Sequence, residues 1–147
     1  MDEGAPKSVA KTGEEPTKII EISGVKLEVG PDLGELSWDG MNHNIAELNR
    51  VLTDGKKPWR VLTKEEYEEL GKHAKVIRNY EELSEEKISE NFNKFVINLG
   101  FTPGRYYRSS TEDEGDKNYT YGWYTRNGDV GNLSKKDSFF VQVFREI

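Results

Sequence analysis

The sequence predicts an α+β domain in which helices pack on a twisted antiparallel sheet. Three observations carry this. Apolar and polar residues alternate near the start, a helical period governs the middle, and aromatic and β-branched residues fill the last third. No strand–helix–strand rhythm recurs, which argues against a parallel sheet.

In "KIIEISGVKLEV" the alternation runs on both sides of Ser23-Gly24, giving two short strands around a tight turn. Ile20 and Ile22 lie before the turn; Val25, Leu27 and Val29 lie after it. "GPDLGE" is expected to break the second strand. Met41, Ile45, Leu48 and Leu52 then mark one face of a helix, starting near Ser37 or Asp39 and ending at Asp54-Gly55. A second helix starts at "LTKEEYEEL". Thr63 and Glu66 form a capping box, each side chain serving a free backbone N–H of the first turn. Tyr67, Leu70 and Ala74 are its inner face. Ile88, Phe92, Phe95, Val96 and Leu99 define a third helix, capped near Ser84 and stopped by Gly100.

Beyond Thr102-Pro103-Gly104 the helical period ends. "YTYGWYT" and "FFVQVFREI" read as strands by their aromatic and β-branched content. Asn127-Gly128 suits a tight hairpin turn whose two central residues both take positive φ.

Composition bounds the function. The 147 residues suffice for one domain, with a modest core at 34% hydrophobic and 33% charged residues. A formal net charge of -6 and the lack of a basic stripe argue against a nucleic-acid partner. The absence of cysteine excludes a disulfide scaffold, a thiol nucleophile and cysteine-ligated zinc, and tilts slightly toward an intracellular origin. No apolar run approaches a membrane span, so no membrane insertion is expected. Residues 1–17 carry no secretory pattern and read as a flexible lead or tether, ahead of a single domain over 18–147.

Two segments carry a family likeness. "PWRVLTKEEYEEL" (residues 58–70) resembles the Trp-Arg-Leu-Pro-Thr-x-x-Glu-Leu segment of a bacterial lectin-like domain family. "YYRSSTE", then "YGWYTRNGDVGNLSKKDSFFVQVFRE", resembles that family's closing pattern of Tyr-Trp-Ser-Ser-Thr-Glu, Ala-Trp-x-Val, Gly-x-Val, Lys and Val-Arg. The likeness spans about residues 36–147 and is nearest to the variable proteins of diversity-generating retroelements. Val61-Leu62, Tyr107-Arg108 and Gly122 depart from the pattern. The resemblance implies a C-type-lectin-type fold with N- and C-terminal strands paired. It also implies a variable region over about 105–145.

The same resemblance implies a non-enzymatic protein that displays a diversified binding surface. Its ligand would be a protein or glycan on another cell or virus, held without a cofactor or metal. Matched to the family's variable slots, the ligand-binding residues are Arg108, Tyr119, Tyr121, Tyr124, Arg126, Asp129, Asn132, Ser134, Lys136, Asp137 and Phe139. Trp123 and Thr125 would belong to the scaffold. Adenine-directed mutagenesis of asparagine codons yields Asn, Asp, Ser, Tyr and Gly, which fits much of this stretch.

The residues themselves allow such a surface. Strand alternation points Tyr119, Tyr121 and Trp123 one way and Thr120, Gly122, Tyr124 and Arg126 the other, without fixing which set faces out. Tyr124 and Arg126 fit the exposed set best. Exposed Tyr and Arg give contact area at low entropic cost, while Asn, Asp and Ser supply adaptable hydrogen bonds. A plainer reading has the aromatics in ordinary cross-strand pairs. An undiversified lectin-like adhesin or structural module is the alternative function.

Rival chemistry is weaker. "EDEGD" (residues 112–116) offers calcium-type oxygens but lacks fixed ligand spacing, and a solvated acidic loop is the simpler account. His43 and His73 are far apart and suit surface or capping roles. Glu65, Glu66, Glu68 and Glu69 read as a wet helix face rather than paired catalytic carboxylates. Ser109-Ser110-Thr111 has no Gly-x-Ser-x-Gly frame and no following histidine. The formylglycine-generating oxidases share the lectin-type fold, but their copper-binding cysteines are missing here. A hydrolase using Glu112 is the remaining, disfavoured alternative.

Overall fold

A computed structural model of the chain describes residues 18–78 and 85–147. The expected flexible lead over 1–17 and the Ser84 cap lie outside the described residues, as do the side chains of Ala74 and Ile88.

Strand β1 (Ile19–Ile22) and strand β2 (Val25–Leu36) form the expected hairpin. Its turn places Ser23 at φ 51° and Gly24 at φ 81°. Two consecutive positive φ values match the right-handed twist of the flanking strands, and glycine takes one without a Cβ penalty. The break expected at "GPDLGE" is not a strand end. β2 continues through it with register shifts between Val29 and Asp32 and between Asp32 and Gly34. Pro31 has no N–H to donate, so the ladder must skip there. Gln142 compensates by donating from Nε2 to the carbonyls of Gly30 at 2.6 Å and Pro31 at 3.3 Å.

Helix α1 (Trp38–Arg50) is capped by Ser37, whose Oγ accepts from the Gly40 N–H at 3.1 Å. It stops at Arg50, short of the expected Asp54-Gly55; Leu52 therefore lies beyond the helix. Helix α2 (Lys64–Arg78) opens on the capping box: Glu66 N–H donates to Thr63 Oγ1 at 3.2 Å, and Thr63 N–H donates to Glu66 Oε1 at 2.9 Å. Helix α3 (Glu85–Asn98) ends at Gly100, φ 98°. Beyond it Phe101 N–H returns to the Val96 carbonyl at 3.0 Å.

The last third supplies β3 (Tyr106–Glu112), β4 (Tyr119–Tyr124), β5 (Val130–Ser134) and β6 (Phe139–Glu146). The sheet order is β1-β2-β6-β3-β4-β5. The N-terminal hairpin thus meets the C-terminal strand, from Leu27↔Glu146 to Leu36↔Phe139. The sheet is mixed rather than wholly antiparallel, because β3 and β6 run parallel at Tyr107↔Phe140. The long connection from β3 through β4 and β5 brings β6 back beside β3 in the same direction. Asn127-Gly128 lies in the β4–β5 connection, but only Gly128 takes positive φ (81°). That connection spans five residues, with Gly128 N–H closing on the Tyr124 carbonyl at 2.7 Å.

Helices cover both faces of the sheet. On one face Leu62, Tyr67, Leu70, Phe92 and Val96 pack with Ile20, Ile22, Leu27, Phe101, Tyr107, Trp123 and Phe144. On the other Met41, Ile45 and Leu48 of α1 pack with Val61, Val141 and Val143. β6 alternates between the two cores, which is why its middle residues are all buried.

"PWRVLT" joins these layers. Arg60 bridges Phe144 through paired backbone hydrogen bonds of 2.8 and 2.7 Å, and its guanidinium grips Glu66 at 2.8 and 2.9 Å. Trp59 lies under the Arg145 guanidinium at 4.1 Å, and a Cβ on Gly30 would strike the Trp59 ring at 2.5 Å. Arg145 itself is buried against Glu28 at 2.8 Å and Asp54 at 3.1 Å.

Candidate functional site

β3 and β4 pair Tyr106 with Tyr124 and Arg108 with Gly122, so these side chains share the α1 side of the sheet. The helix on that side packs on β2 and leaves this part of the sheet open. Tyr106 and Tyr124 stack there with centroids 4.1 Å apart and planes 8° from parallel. Phe139 meets Tyr106 edge-on at 6.1 Å. Tyr106 is 44% exposed, and Tyr124 and Phe139 are half-buried. The three rings form an aromatic platform facing solvent.

Arg108 is the floor of this platform, and the expectation that it contacts ligand is corrected: its exposure is 0%. Nε donates to the Leu36 carbonyl at 2.9 Å, Nη1 to Thr120 Oγ1 at 3.3 Å, and Nη2 to the Ser134 carbonyl at 2.8 Å and to the Asp137 carbonyl. Phe139 lies 5.0 Å above the guanidinium. Burial pushes the Arg108 pKa below arginine's ordinary value, against the pull of the Asp137 charge. The side chain ties the ends of β2 and β5 and the 135–138 loop to the middle of β3.

Strand alternation divides the other expected residues. Tyr119, Tyr121, Asn132 and Ser134 pair with one another across β4 and β5 on the α2 side, away from Tyr124 and Phe139. Tyr119 is 38% exposed. Tyr121 lies 4.3 Å beneath Lys64 Nζ, and Asn132 donates to Asp113. Ser134 Oγ accepts from the Lys136 N–H at 3.2 Å. Arg126 and Asp129 are exposed in the β4–β5 loop, Lys136 and Asp137 in the β5–β6 loop. Tyr124 and Arg126 meet in a cleft of about 390 Å³ that also includes Asn93, Pro103 and Gly104. A second cleft of about 470 Å³, between Glu68, Gly71 and Lys72 of α2 and Gly128, Asp129 and Val130, carries both charge signs.

Beneath these side chains the frame is tightly bonded. Trp123 and Thr125 are fully buried. Trp123 stacks on Tyr67 at 5.3 Å and donates Nε1–H to the Gly128 carbonyl at 2.8 Å. Thr125 Oγ1 donates to the Thr102 carbonyl at 2.7 Å and accepts from the Arg105 N–H at 2.8 Å. A Cβ on Gly122 would lie 2.2 Å from Leu133 Cδ1 and 2.7 Å from the Tyr107 carbonyl oxygen, so a larger residue does not fit here without a shift.

Tyr106 is absent from the binding residues expected from the sequence. Its parity with Arg108, opposite the core residue Tyr107, is the signal that finds it. The acidic loop is internally bonded: Asp113 Oδ1 accepts from Gly115 N–H at 2.8 Å, Asp116 Oδ1 from Asn118 N–H at 3.0 Å, and Glu112 meets Lys135 Nζ at 3.4 Å. Among the described residues no three His, Asp or Glu side chains gather as a metal set, and no helix is long and apolar enough to cross a membrane.

No protein-family model matches the chain, and no curated protein matches it in sequence.

Proposed function

We propose that this chain is a non-enzymatic binding protein with a C-type-lectin-type fold, the variable product of a diversity-generating retroelement. Its ligand, a protein or a glycan on another cell or virus, docks on the C-terminal strands and their loops. The observation that carries this reading is the Tyr106, Tyr124 and Phe139 platform. Three large rings lie on the open side of a sheet whose interior has its own aromatics in Tyr107, Trp123 and Phe144. Rings that filled a core would be expected under a helix. Rings at a surface supply contact area with few rotors to freeze.

The division between frame and surface supports the diversified form of the reading. Arg108, Trp123 and Thr125 are enclosed, while Arg126, Asp129, Asn132, Lys136 and Asp137 are exposed on loops or a strand edge. Exchange at the second group removes few buried contacts, so the fold tolerates it. The pairing of β2 with β6 matches the terminal-strand arrangement that the lectin-like resemblance implies.

The test is a comparison of sibling copies of the coding segment for residues 105–145 within one population. The reading expects differences at adenines, concentrated at Tyr119, Tyr121, Tyr124, Arg126, Asp129, Asn132, Ser134, Lys136, Asp137 and Phe139. Arg108, Trp123 and Thr125 should stay fixed. Differences spread evenly over buried and exposed positions would overturn it.

A further inference from the structure

The cleft at the end of β4 has a chemistry of its own. Tyr124 is one of its lining residues, and the Tyr124 ring stacks on Tyr106. Pro103 and Gly104 add a wall free of charge, and Asn93 of α3 and Arg126 of the β4–β5 loop supply the polar groups. Arg126 is exposed and has no ion-pair partner among the described residues. Among the described residues the buried and half-buried guanidiniums are engaged: Arg60 by Glu66, Arg145 by Glu28, Arg108 by carbonyls and Arg105 by the Phe140 ring at 4.1 Å. The chain is acidic overall at -6, yet the described residues that line this cleft carry one cation and no acid.

We infer that this cleft takes an acidic segment of a partner protein, in which a carboxylate sits beside an apolar or aromatic side chain. The Arg126 fork matches a carboxylate bidentately. The Tyr124 ring and Pro103 receive the neighbouring apolar side chain. The Asn93 amide offers a donor and an acceptor, the pair that an extended peptide backbone presents in return. A saccharide would leave the guanidinium without a matched anion unless it carried a carboxylate itself, and the test includes that case. The inference rests on the binding reading above and names the ligand chemistry of one part of that surface.

Two-dimensional NMR of the labelled chain tests it, with acetyl-Phe-Glu-Phe-amide, the matching Phe-Gln-Phe peptide and 3′-sialyllactose as probes. The glutamate peptide is expected to shift the Tyr124, Arg126 and Asn93 signals saturably, and to bind about threefold to tenfold tighter than the glutamine peptide. Arg126→Gln should abolish that difference, and raised salt should shrink it. Equal binding of the two peptides, silence of these signals with both, or sialyllactose alone moving them would each overturn the inference. None of those results bears on whether sibling copies differ at surface positions, so the binding reading stands or falls separately.

Discussion

Replacing Arg108 with methionine tests how the surface loops are held. Methionine keeps most of the side-chain volume, so packing loss is small. What disappears is one guanidinium serving four acceptors: the carbonyls of Leu36 and Ser134 at 2.9 and 2.8 Å, the Asp137 carbonyl, and Thr120 Oγ1 at 3.3 Å. Leaving such acceptors unserved costs about 1 kcal/mol each, or roughly 4 kcal/mol together. Removing a buried charge returns part of this, about 1–2 kcal/mol, because its desolvation penalty goes too. The net expectation is a loss of about 2–3 kcal/mol, some 5–10 °C in Tm for a domain of this size. Urea unfolding followed by tryptophan fluorescence measures it. Arg108→Lys, which keeps the charge but reaches fewer acceptors, should fall between wild type and methionine. Amide exchange at Lys136 and Asp137 should accelerate in both variants before global unfolding does. A methionine variant within about 0.5 kcal/mol of wild type, with loop exchange unchanged, would refute the reasoning.

Gly122→Ala brings a Cβ to 2.2 Å from Leu133 Cδ1 and 2.7 Å from the Tyr107 carbonyl oxygen, and should cost about 2–3 kcal/mol. Adding Leu133→Ala should fail to recover all of it in denaturant titrations, since the carbonyl cannot move aside. For Glu66, burial pushes the carboxyl up, but hydrogen bonds from Arg60 and from Thr63 outweigh it and hold the pKa below the ordinary 4.5. The folded value is depressed, so the stabilisation is present above about pH 4.5 and is lost as pH falls through the lower folded value. Glu66→Gln should therefore cost about 1–2 kcal/mol at pH 7 and progressively less below pH 4, read as urea midpoints at each pH. Tyr124→Ala removes a ring that is half exposed and should cost no more than about 1.5 kcal/mol in thermal melts. A much larger loss would mean that the platform is part of the core.

Local chemistry made the scaffold readable. The Thr63–Glu66 box and the Ser23-Gly24 turn each need only neighbours within three residues, and both form as the sequence predicts. Features decided by distant partners were hidden. β2 survives Pro31 because Gln142, more than 100 residues away, serves the stranded carbonyls. Arg108 is expected at the binding surface from the resemblance alone, and its burial depends on a carbonyl 72 residues away and on two others beyond β4. Of the expected contact residues, alternation alone separates Tyr119 and Tyr121 from Tyr124. Joining Tyr124 to Tyr106 required the β3–β4 register.

The position of β6 has a consequence for how the chain reaches its native state. The strand latest in sequence among the described residues, Phe139–Glu146, lies third in the sheet, between β2 and β3. Without those eight residues the β1–β2 hairpin and the β3–β4–β5 meander have no shared strand. Assembly is therefore completed late and by distant contacts, which slows folding. Loss of this one strand would leave the hairpin and the meander joined only through the core under α2 and α3, however freely the loops beside it accept change.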